Sequence, residues 1–568
     1  MDIRRTILWL IFAFSVLLLW NNWQTYNGRP SIFGTLPAEE SVAQDQNSNN
    51  AQDSAETSRP DSDASIPQAQ QPQERTADAQ VPQEEHEQSQ SELVHIQTEV
   101  FNLTFDTVGA QLIQADLLRY EAPGDKEAAM PLLSRTGDSV YLAQSGIIGA
   151  DAQEYPNHLM PYRLVSEDNN TETGTIDIVF EAQTDAVRVL KTYKLKEDSY
   201  DIEVSYDIEN LTDQPISPSI YFQLERDGNN PPDSSRLYRT FNGPVVYSDI
   251  KEFEKVSFSD LDKNKASYVD AADNGWIGFV QHYFATAWVP PQGVERKNEV
   301  LKVGENRYVA RAIESIGDIE PNAQKTITAH LWVGPQDQQA MAELAPGLDL
   351  VVDYGWLTII SKPLFTILTW IHSLIGNWGW SIVVLTVLIK LIFYPLSAAS
   401  YRSMARMKQV TPRMQALREK YGDDRAKLNQ AMMELYRNEK INPLGGCLPM
   451  LVQIPVFIAL YWVLLGSVEM RGAPWILWIK NLAAPDPYFI LPAVMMATMF
   501  LQIRLNPTPP DPMQARIMMI MPLVFGGMMF FFPAGLVLYW VVNNALSIAQ
   551  QQYITRRIQK DEAAKKVG

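Results

Sequence analysis

One stretch constrains everything this chain can fold into: Trp380-Ser381-Ile382-Val383-Val384-Leu385-Thr386-Val387-Leu388-Ile389-Lys390-Leu391-Ile392-Phe393-Tyr394-Pro395-Leu396, an apolar run of membrane length with a lysine set inside it. An ammonium among lipid tails costs at least ~2.5–3.5 kcal/mol on insertion scales, so it is rarely left there without a partner or a pocket of water. Lys390 is therefore the first candidate for function. Snorkelling is the bland alternative: about ten residues, roughly 15 Å of helix, lie before the basic segment that begins at Arg402, and a lysine stem covers part of that distance. Thr386 sits one turn earlier on the same face, which favours a polar stripe turned inward, away from lipid.

Charge divides the chain. The net charge of −19 over 568 residues is uneven. Residues 21–350 hold 24 Lys and Arg against 54 Asp and Glu, residues 351–568 hold 21 against 11, and the first 20 carry +1. An acidic soluble domain joined to a basic membrane domain fits that split. Cys447 is the single cysteine, so no internal disulfide supports the soluble part even in an oxidising compartment.

Arg4 and Arg5 precede an apolar run from Ile7 to Trp20 closed by Trp23, and no small-residue cleavage site follows. Residues 1–24 read as an uncleaved signal anchor with a cytoplasmic start, a cleaved signal peptide being the alternative. Residues 25–92 are rich in Gln, Ser, Asp, Glu, Ala and Pro from Pro37 onward, a composition expected of a disordered tether.

From 93 to 345 the pattern becomes short β-branched and aromatic runs of period two, such as Thr175-Ile176-Asp177-Ile178-Val179-Phe180 and Tyr200-Asp201-Ile202-Glu203-Val204-Ser205-Tyr206-Asp207-Ile208. Repeated half-buried strands without helical runs between them predict an antiparallel, all-β sandwich. His158, His282 and His330 stand singly and no carboxylate pair has a catalytic spacing, which favours binding or docking over catalysis.

Residues 346–377 mix apolar positions with Asp349, Asp353, Lys362 and His372; with Trp356 and Trp370 near the polar boundary they read as an amphipathic helix in the outer interface, Pro363 and the charges making a poor span. A core transmembrane helix over 378–397 and four more within 443–556 follow. Together with the anchor they form a membrane α-helical bundle. Between them, 397–442 carries 10 basic residues, 506–516 carries 2 counting Arg504 and Arg516 at the helix ends, and 555–568 carries 5, so these segments and both termini are expected in the cytoplasm and the acidic β-domain outside.

Within the cytoplasmic segment 398–442, Met407, Val410, Met414, Leu417 and Tyr421 repeat at spacings of three and four, as do Leu428, Met432 and Leu435 beyond Gly422-Asp423-Asp424. Two such seams predict an antiparallel helical hairpin, with Thr411-Pro412 resembling an N-cap and first-turn proline. Its basic residues, Arg402, Arg406, Lys408, Arg413, Arg418 and Lys420 among them, are either a solvated face or a docking surface for an RNA-bearing or acidic partner; nothing in them points to DNA. Residues 557–568 form a basic tail.

Sixteen of the 20 methionines lie after residue 378, either filling gaps between helices or adapting to many apolar partners. Gln453, Asn543, Asn544 and Ser547 add scattered polar groups to the helices. None of the five runs contains Asp or Glu, which a proton- or cation-coupled transporter would need near the midplane, and no matched halves are visible. Nor is there a phosphate loop, a metal-ligand cluster or a nucleophile elbow, so ATP hydrolysis and proteolysis lack residues, and no cofactor or metal is expected. A solute channel or transporter, and an outer-face scaffold built on the β-domain, remain as alternative classes.

Three stretches resemble the YidC membrane protein insertases, relatives of the Oxa and Alb proteins of organelles: Asn442-Pro443-Leu444-Gly445-Gly446-Cys447-Leu448-Pro449 continuing through Gln453-Ile454-Pro455-Val456-Phe457, the opening core helix through Tyr394-Pro395-Leu396, and Phe532-Pro533-Ala534-Gly535-Leu536-Val537-Leu538-Tyr539-Trp540. The size of the β-domain is similar to that of the Gram-negative type, with its large periplasmic domain. The resemblance implies a five-helix insertase core in the bacterial inner membrane, with an intramembrane groove open to cytoplasm and lipid and wet around Lys390. Lys390 stands where the family pattern has arginine, so the positive charge survives and the bidentate fork does not. Thr386, Pro455, Phe457, Met495 and Trp540 match positions lining the substrate path, Trp540 in place of the usual tyrosine, and Gln453, Tyr539 and Asn543 join them as groove candidates. The implied partners are nascent membrane proteins, the Sec translocon, a ribosome or targeting receptor at the hairpin and tail, and membrane lipids.

Overall fold

The computed structural model describes residues 91–136, 139–149, 155–170, 172–231, 240–421, 424–439, 448–505 and 512–567. The expected signal anchor, nearly all of the linker and the Asn442–Cys447 motif lie outside the described residues. Those described fall into two units, one ending at Val352 and one beginning at Asp353.

The first unit is built from β1 Leu93–Gln97, β2 Phe101–Asp106, β3 Gln111–Ala122, β4 Asp125–Thr136, β5 Ser139–Ile148, β6 Arg163–Asn170, β7 Thr175–Gln183, β8 Val187–Lys196 and β9 Asp201–Asn210. It continues with β10 Ser219–Asp227, β11 Gly243–Tyr247, β12 Glu254–Lys255, the short helix α1 Phe258–Asp262, β13 Ala271–Ala272, β14 Trp276–Val280, β15 Phe284–Val289, β16 Arg296–Gly304, β17 Arg307–Ser315, β18 Gln324–Pro335 and α2 Gln338–Leu344. Two nine-stranded antiparallel sheets result, ordered β1-β2-β3-β4-β5-β10-β17-β16-β13 and β12-β11-β14-β15-β18-β9-β8-β7-β6. The period-two runs do what their pattern dictates: β7 and β9 bury alternate residues, Ile176, Ile178 and Phe180 on one and Ile202, Val204, Tyr206 and Ile208 on the other.

Large rings fill the space between the sheets. Trp288 packs on Phe222 at 5.1 Å between centroids and donates its indole N–H to the Gln223 carbonyl at 3.0 Å, and Tyr206 donates to Ser145 Oγ across the same gap at 2.7 Å. A lysine is buried there too. Lys191 is fully enclosed, donates to the Gly109 carbonyl at 3.2 Å, and lies 5.1 Å from the Tyr193 ring centroid and 5.5 Å from that of Tyr206. Burial pushes its amine well below the ordinary lysine range. Each expected lone histidine has a structural neighbour: His158 Nδ1 meets Tyr221 OH at 2.5 Å, His282 stacks on Tyr283, and His330 pairs with Asp201 at 3.0 Å.

The second unit is helical: α3 Thr358–Ile375, α4 Trp378–Ile392, α5 Tyr394–Tyr421, α6 Arg425–Asn438, α7 Leu448–Gly466, α8 Ile490–Leu505, α9 Pro512–Met529 and α10 Ala534–Val567. Several boundaries differ from those expected. The segment expected to lie in the interface forms an 18-residue helix straight through Pro363, and Gly355–Ile375 is long and apolar enough to cross a bilayer. The opening core helix stops at Ile392 instead of reaching Ser397, and α5 leaves at 66°. Pro395 explains the restart, because its missing N–H costs nothing in the first turn of a new helix. Thr411-Pro412 is no helix start: α5 runs through both, with Thr411 Oγ1 donating back to the Met407 carbonyl at 3.1 Å. The hairpin seam forms as spaced, Val410 and Met414 being buried against Met407, Met432 and Leu435. At the far end, α10 carries on from its apolar half through the basic tail to Val567, since no Gly or Pro interrupts it.

One loop fastens an end of this unit. Asn377 caps α4 by accepting from Trp380 N at 3.0 Å, and its amide donates to the carbonyls of Pro474 and Trp475 at 3.2 and 3.3 Å. Beside it Trp475 packs onto Gly379. Farther along, Asp486 accepts from Trp478 Nε1, Tyr488 N and Leu491 N, and Gly535 N at the start of α10 donates to the Leu482 carbonyl at 2.9 Å.

Two outcomes follow from these packings. In the β unit, Glu314 is buried opposite Arg296; burial raises its carboxyl to about 7, against the pull of Arg296. Its contribution to stability is complete below about pH 4.5, where the carboxyl is neutral folded or unfolded, and is lost as pH climbs to about 7. Glu314→Gln is neutral throughout, so chemical denaturation at pH 4.5 and 7.5 is expected to show the wild type losing about 3 kcal/mol relative to the variant across that window. In the helical unit, Gly379→Ala would normally favour a helix by ~1 kcal/mol, but its Cβ falls 2.2 Å from Trp475 Cδ1. The thermal midpoint of the detergent-solubilised protein is expected to fall, by the equivalent of ~1–3 kcal/mol of overpacking.

Candidate functional site in the helical unit

The face of α4 at 382, 385, 386, 389 and 390 is buried, while Leu388, Leu391 and Ile392 are exposed. Spacings of three and four put Thr386 and Lys390 on the inward face. Thr386 spends its hydroxyl on its own helix, donating to the Ile382 carbonyl at 2.7 Å. Lys390 reaches out of α4 altogether, and its Nζ donates to Ser547 Oγ of α10 at 2.8 Å. Only 6% of Lys390 is exposed, so the ammonium is covered in this arrangement rather than standing in the open groove expected of it. The cover comes from the way α10 packs along α4 and α5.

Ser547 belongs to a stripe on α10. Trp540, Asn543, Ser547 and Gln551 recur every three or four residues, one face of a helix. Gln453 of α7 donates to Asn543 Oδ1 at 2.6 Å, the Ser547 hydroxyl donates to the Asn543 carbonyl at 2.7 Å, and Tyr401 of α5 donates to the Ser547 carbonyl at 3.4 Å. On the neighbouring stripe Asn544 donates to Thr498 Oγ1 of α8 at 3.3 Å. Four helices, α4, α5, α7 and α10, thus contribute to one polar seam centred on Ser547, and α8 joins α10 beside it.

Aromatic residues adjoin it. Trp540 meets Phe457 of α7 edge-on at 4.7 Å between centroids and Phe525 of α9 at 5.2 Å, and Phe457 stacks on Tyr539 at 6.1 Å. The expected groove residues fall into two groups. Gln453, Pro455, Phe457 and Trp540 are partly exposed, whereas Thr386, Met495, Tyr539 and Asn543 are buried in the bundle. Met495 touches the seam indirectly, its carbonyl accepting from Thr498 Oγ1 at 2.7 Å.

Sequence reasoning passed over Phe525, Thr498 and Tyr401, and left Ser547 among the scattered polar groups without naming it as a groove residue. Ser547 carried a signal in its place four residues after Asn543; the other three became visible only once the helices were packed. Of the hairpin residues, Arg402, Arg406, Lys408, Arg413 and Lys420 are exposed, Arg418 is partly covered, and Arg413 forms an ion pair with Glu439 at 2.5 Å across the hairpin. Among the described residues no group of three His, Cys, Asp or Glu side chains is placed to hold a metal.

Comparison with known proteins bears on the whole chain. Residues 93–367 match the family model described as YidC periplasmic domain, and residues 370–562 match that described as 60Kd inner membrane protein. The chain is 61% identical over 568 residues to the membrane protein insertase YidC of Bordetella petrii, covering 99% of this chain and 100% of that protein. It is 48% identical over 567 residues to that of Paraburkholderia phytofirmans, again covering 99% and 100%. The crystal structure of an active YidC insertase with its first transmembrane domain resolved is 18% identical, covers 81% of this chain and 92% of its own, and has a TM-score of 0.38. The protein is an inner-membrane protein, and its β unit is a periplasmic domain. On sequence over nearly its full length, the chain belongs to the YidC family of membrane protein insertases.

Proposed function

We propose that the helical unit receives nascent hydrophobic segments at the Phe457–Trp540 aromatic cluster, draws their short polar or acidic tails toward Lys390, and releases the apolar part sideways into lipid. The observation that carries this reading is the placement of a lysine ammonium inside the bundle, a few turns from partly exposed aromatic rings. An acidic tail crossing a low-dielectric region gains most from a single opposite charge close by. The Trp540 indole N–H is buried and has no acceptor among the described residues, so a backbone carbonyl reaches it only if the aromatic cluster parts. Release is driven by transfer of apolar area, worth ~25 cal/mol per Å². No nucleotide or covalent step is required.

Around this centre we assign the remaining parts. The hairpin α5–α6 and the C-terminal end of α10 lie in the cytoplasm, as do both termini. Their basic residues Arg402, Arg406, Lys408, Arg413, Arg418 and Lys420 meet a ribosome or targeting receptor, while the membrane helices work alone or beside the Sec translocon in contact with lipid. The exposed Met519, Met521 and Met528 of α9 offer adaptable apolar surface to varied segments.

The charge of Lys390 is open to direct test in an insertion assay with a short substrate bearing an acidic translocated tail. Lys390→Arg is expected to retain most activity, and Lys390→Glu to lose about tenfold or more, since attraction becomes repulsion. Equal activity of the two variants would sink the charge role. Flux of small solutes through proteoliposomes is expected to match that of empty vesicles; a protein-dependent flux would favour a channel instead.

A further inference from the structure

We infer that Ser547 is a positioning residue for the Lys390 ammonium, an inference that rests on the insertion role proposed for Lys390. Lysine ends in a point charge on a flexible four-carbon stem, with no planar fork to fix its direction. Lys390 also stands in the last turn of α4, and a lysine stem is long enough to turn toward the helix end and the polar segment beyond it. Among the described residues, the one polar contact that directs it inward is the Ser547 hydroxyl.

That hydroxyl is oriented before the lysine arrives. Ser547 donates its single hydrogen to the Asn543 carbonyl at 2.7 Å, which leaves the oxygen to act toward Lys390 as an acceptor. Lys390 uses it at 2.8 Å. Ser547 is itself 5% exposed, and two ties steady its turn of α10: Tyr401 donates to its carbonyl, and Gln453 donates to the Asn543 side chain. An ammonium has three hydrogens, and one is engaged among the described residues. The other two have no acceptor among the described residues, and a carboxylate entering the seam as the helices part meets them in the direction that Ser547 sets.

Removing the hydroxyl leaves the charge in the protein but lets it drift. Ser547→Thr keeps both functions, because a helical threonine bonds the carbonyl four residues back in the same way. Substrates identical except for an acidic or a neutral translocated tail provide a readout that a structural defect would not move. In the full-length protein, reconstituted into liposomes, Ser547→Ala is expected to lower the ratio of acidic-tail to neutral-tail insertion about tenfold, on the scale of one hydrogen bond to a charged group. Ser547→Thr is expected to restore it. Lys390→Gln, measured alongside, lowers the same ratio if the ammonium acts on the tail. A normal ratio for Ser547→Ala together with a lowered one for Lys390→Gln would overturn the positioning role and leave the proposed function standing. A normal ratio for Lys390→Gln would overturn both. Equal loss of the two substrates in Ser547→Ala, or failure of threonine to rescue, would assign Ser547 a packing role only and overturn the inference.

Discussion

The cost of enclosing one ammonium between apolar helices is the constraint on which the helical unit depends. A lysine facing lipid at that depth carries several kcal/mol of unfavourable transfer energy, and one facing a dry interior carries a comparable burden unless a polar atom meets it. Lys390 meets Ser547, and the consequences spread outward from that contact. It fixes which face of α10 turns toward α4. With that face set, Asn543 comes opposite Gln453 of α7 and Trp540 comes against Phe457 and Phe525. The arrangement of a hydrophobic bundle, where one apolar side packs nearly as well as another, is narrowed by a few polar atoms that tolerate only particular rotations.

The β unit encloses a lysine of its own and solves the same problem differently. Lys191 lies between two sheets, one hydrogen bond away from a backbone carbonyl and surrounded by tyrosine rings whose π faces accept a cation. Among the described residues no acidic group acts on it, and burial holds its amine well below the usual range, so a neutral donor is compatible with the site. Its work is structural: it ties β8 to the turn at Gly109, where φ is +76° and an added Cβ would strike the His158 carbonyl oxygen at 2.2 Å. Burial of a lysine is therefore not a functional mark by itself. The aromatic surface near Lys390 is partly exposed where that around Lys191 is sealed, and this separates the two.

Local patterns made much of this legible in the sequence. Strand alternation gave the all-β sandwich, because each half-buried strand writes its own period of two, and the hairpin seam was readable at Val410, Met414 and Met432 for the equivalent reason in helices. Pairing order was not readable: β5 beside β10, or β9 beside β18, joins strands far apart in sequence whose edges carry no mutual signature. Prolines misled in both directions. Pro363 counted against a span in a helix long and apolar enough for one and Pro412 stands inside a continuous helix, while the break before Pro395 divides a single membrane-length run. In the site, Lys390 was conspicuous as a charge in an apolar run, whereas its partner was one of four polar residues on helices whose rotation only packing decides.

The choice of lysine at position 390, where the family resemblance implies arginine, gives the Ser547 contact its meaning. A guanidinium presents five donors in a rigid plane and directs itself through several of them, so an arginine in a helical bundle carries its own orientation. Replace it by lysine and the charge persists while the direction is lost, unless an acceptor on a neighbouring helix supplies it. Ser547 is such an acceptor, and its hydroxyl hydrogen is already committed to the Asn543 carbonyl. The requirement then passes from the chemistry of one side chain to the register between two helices: sliding α10 by one residue would carry the hydroxyl off Lys390 and Asn543 off Gln453 together. Charge placement and helix packing are thus one constraint in this chain, and a substitution that alters either is felt at both.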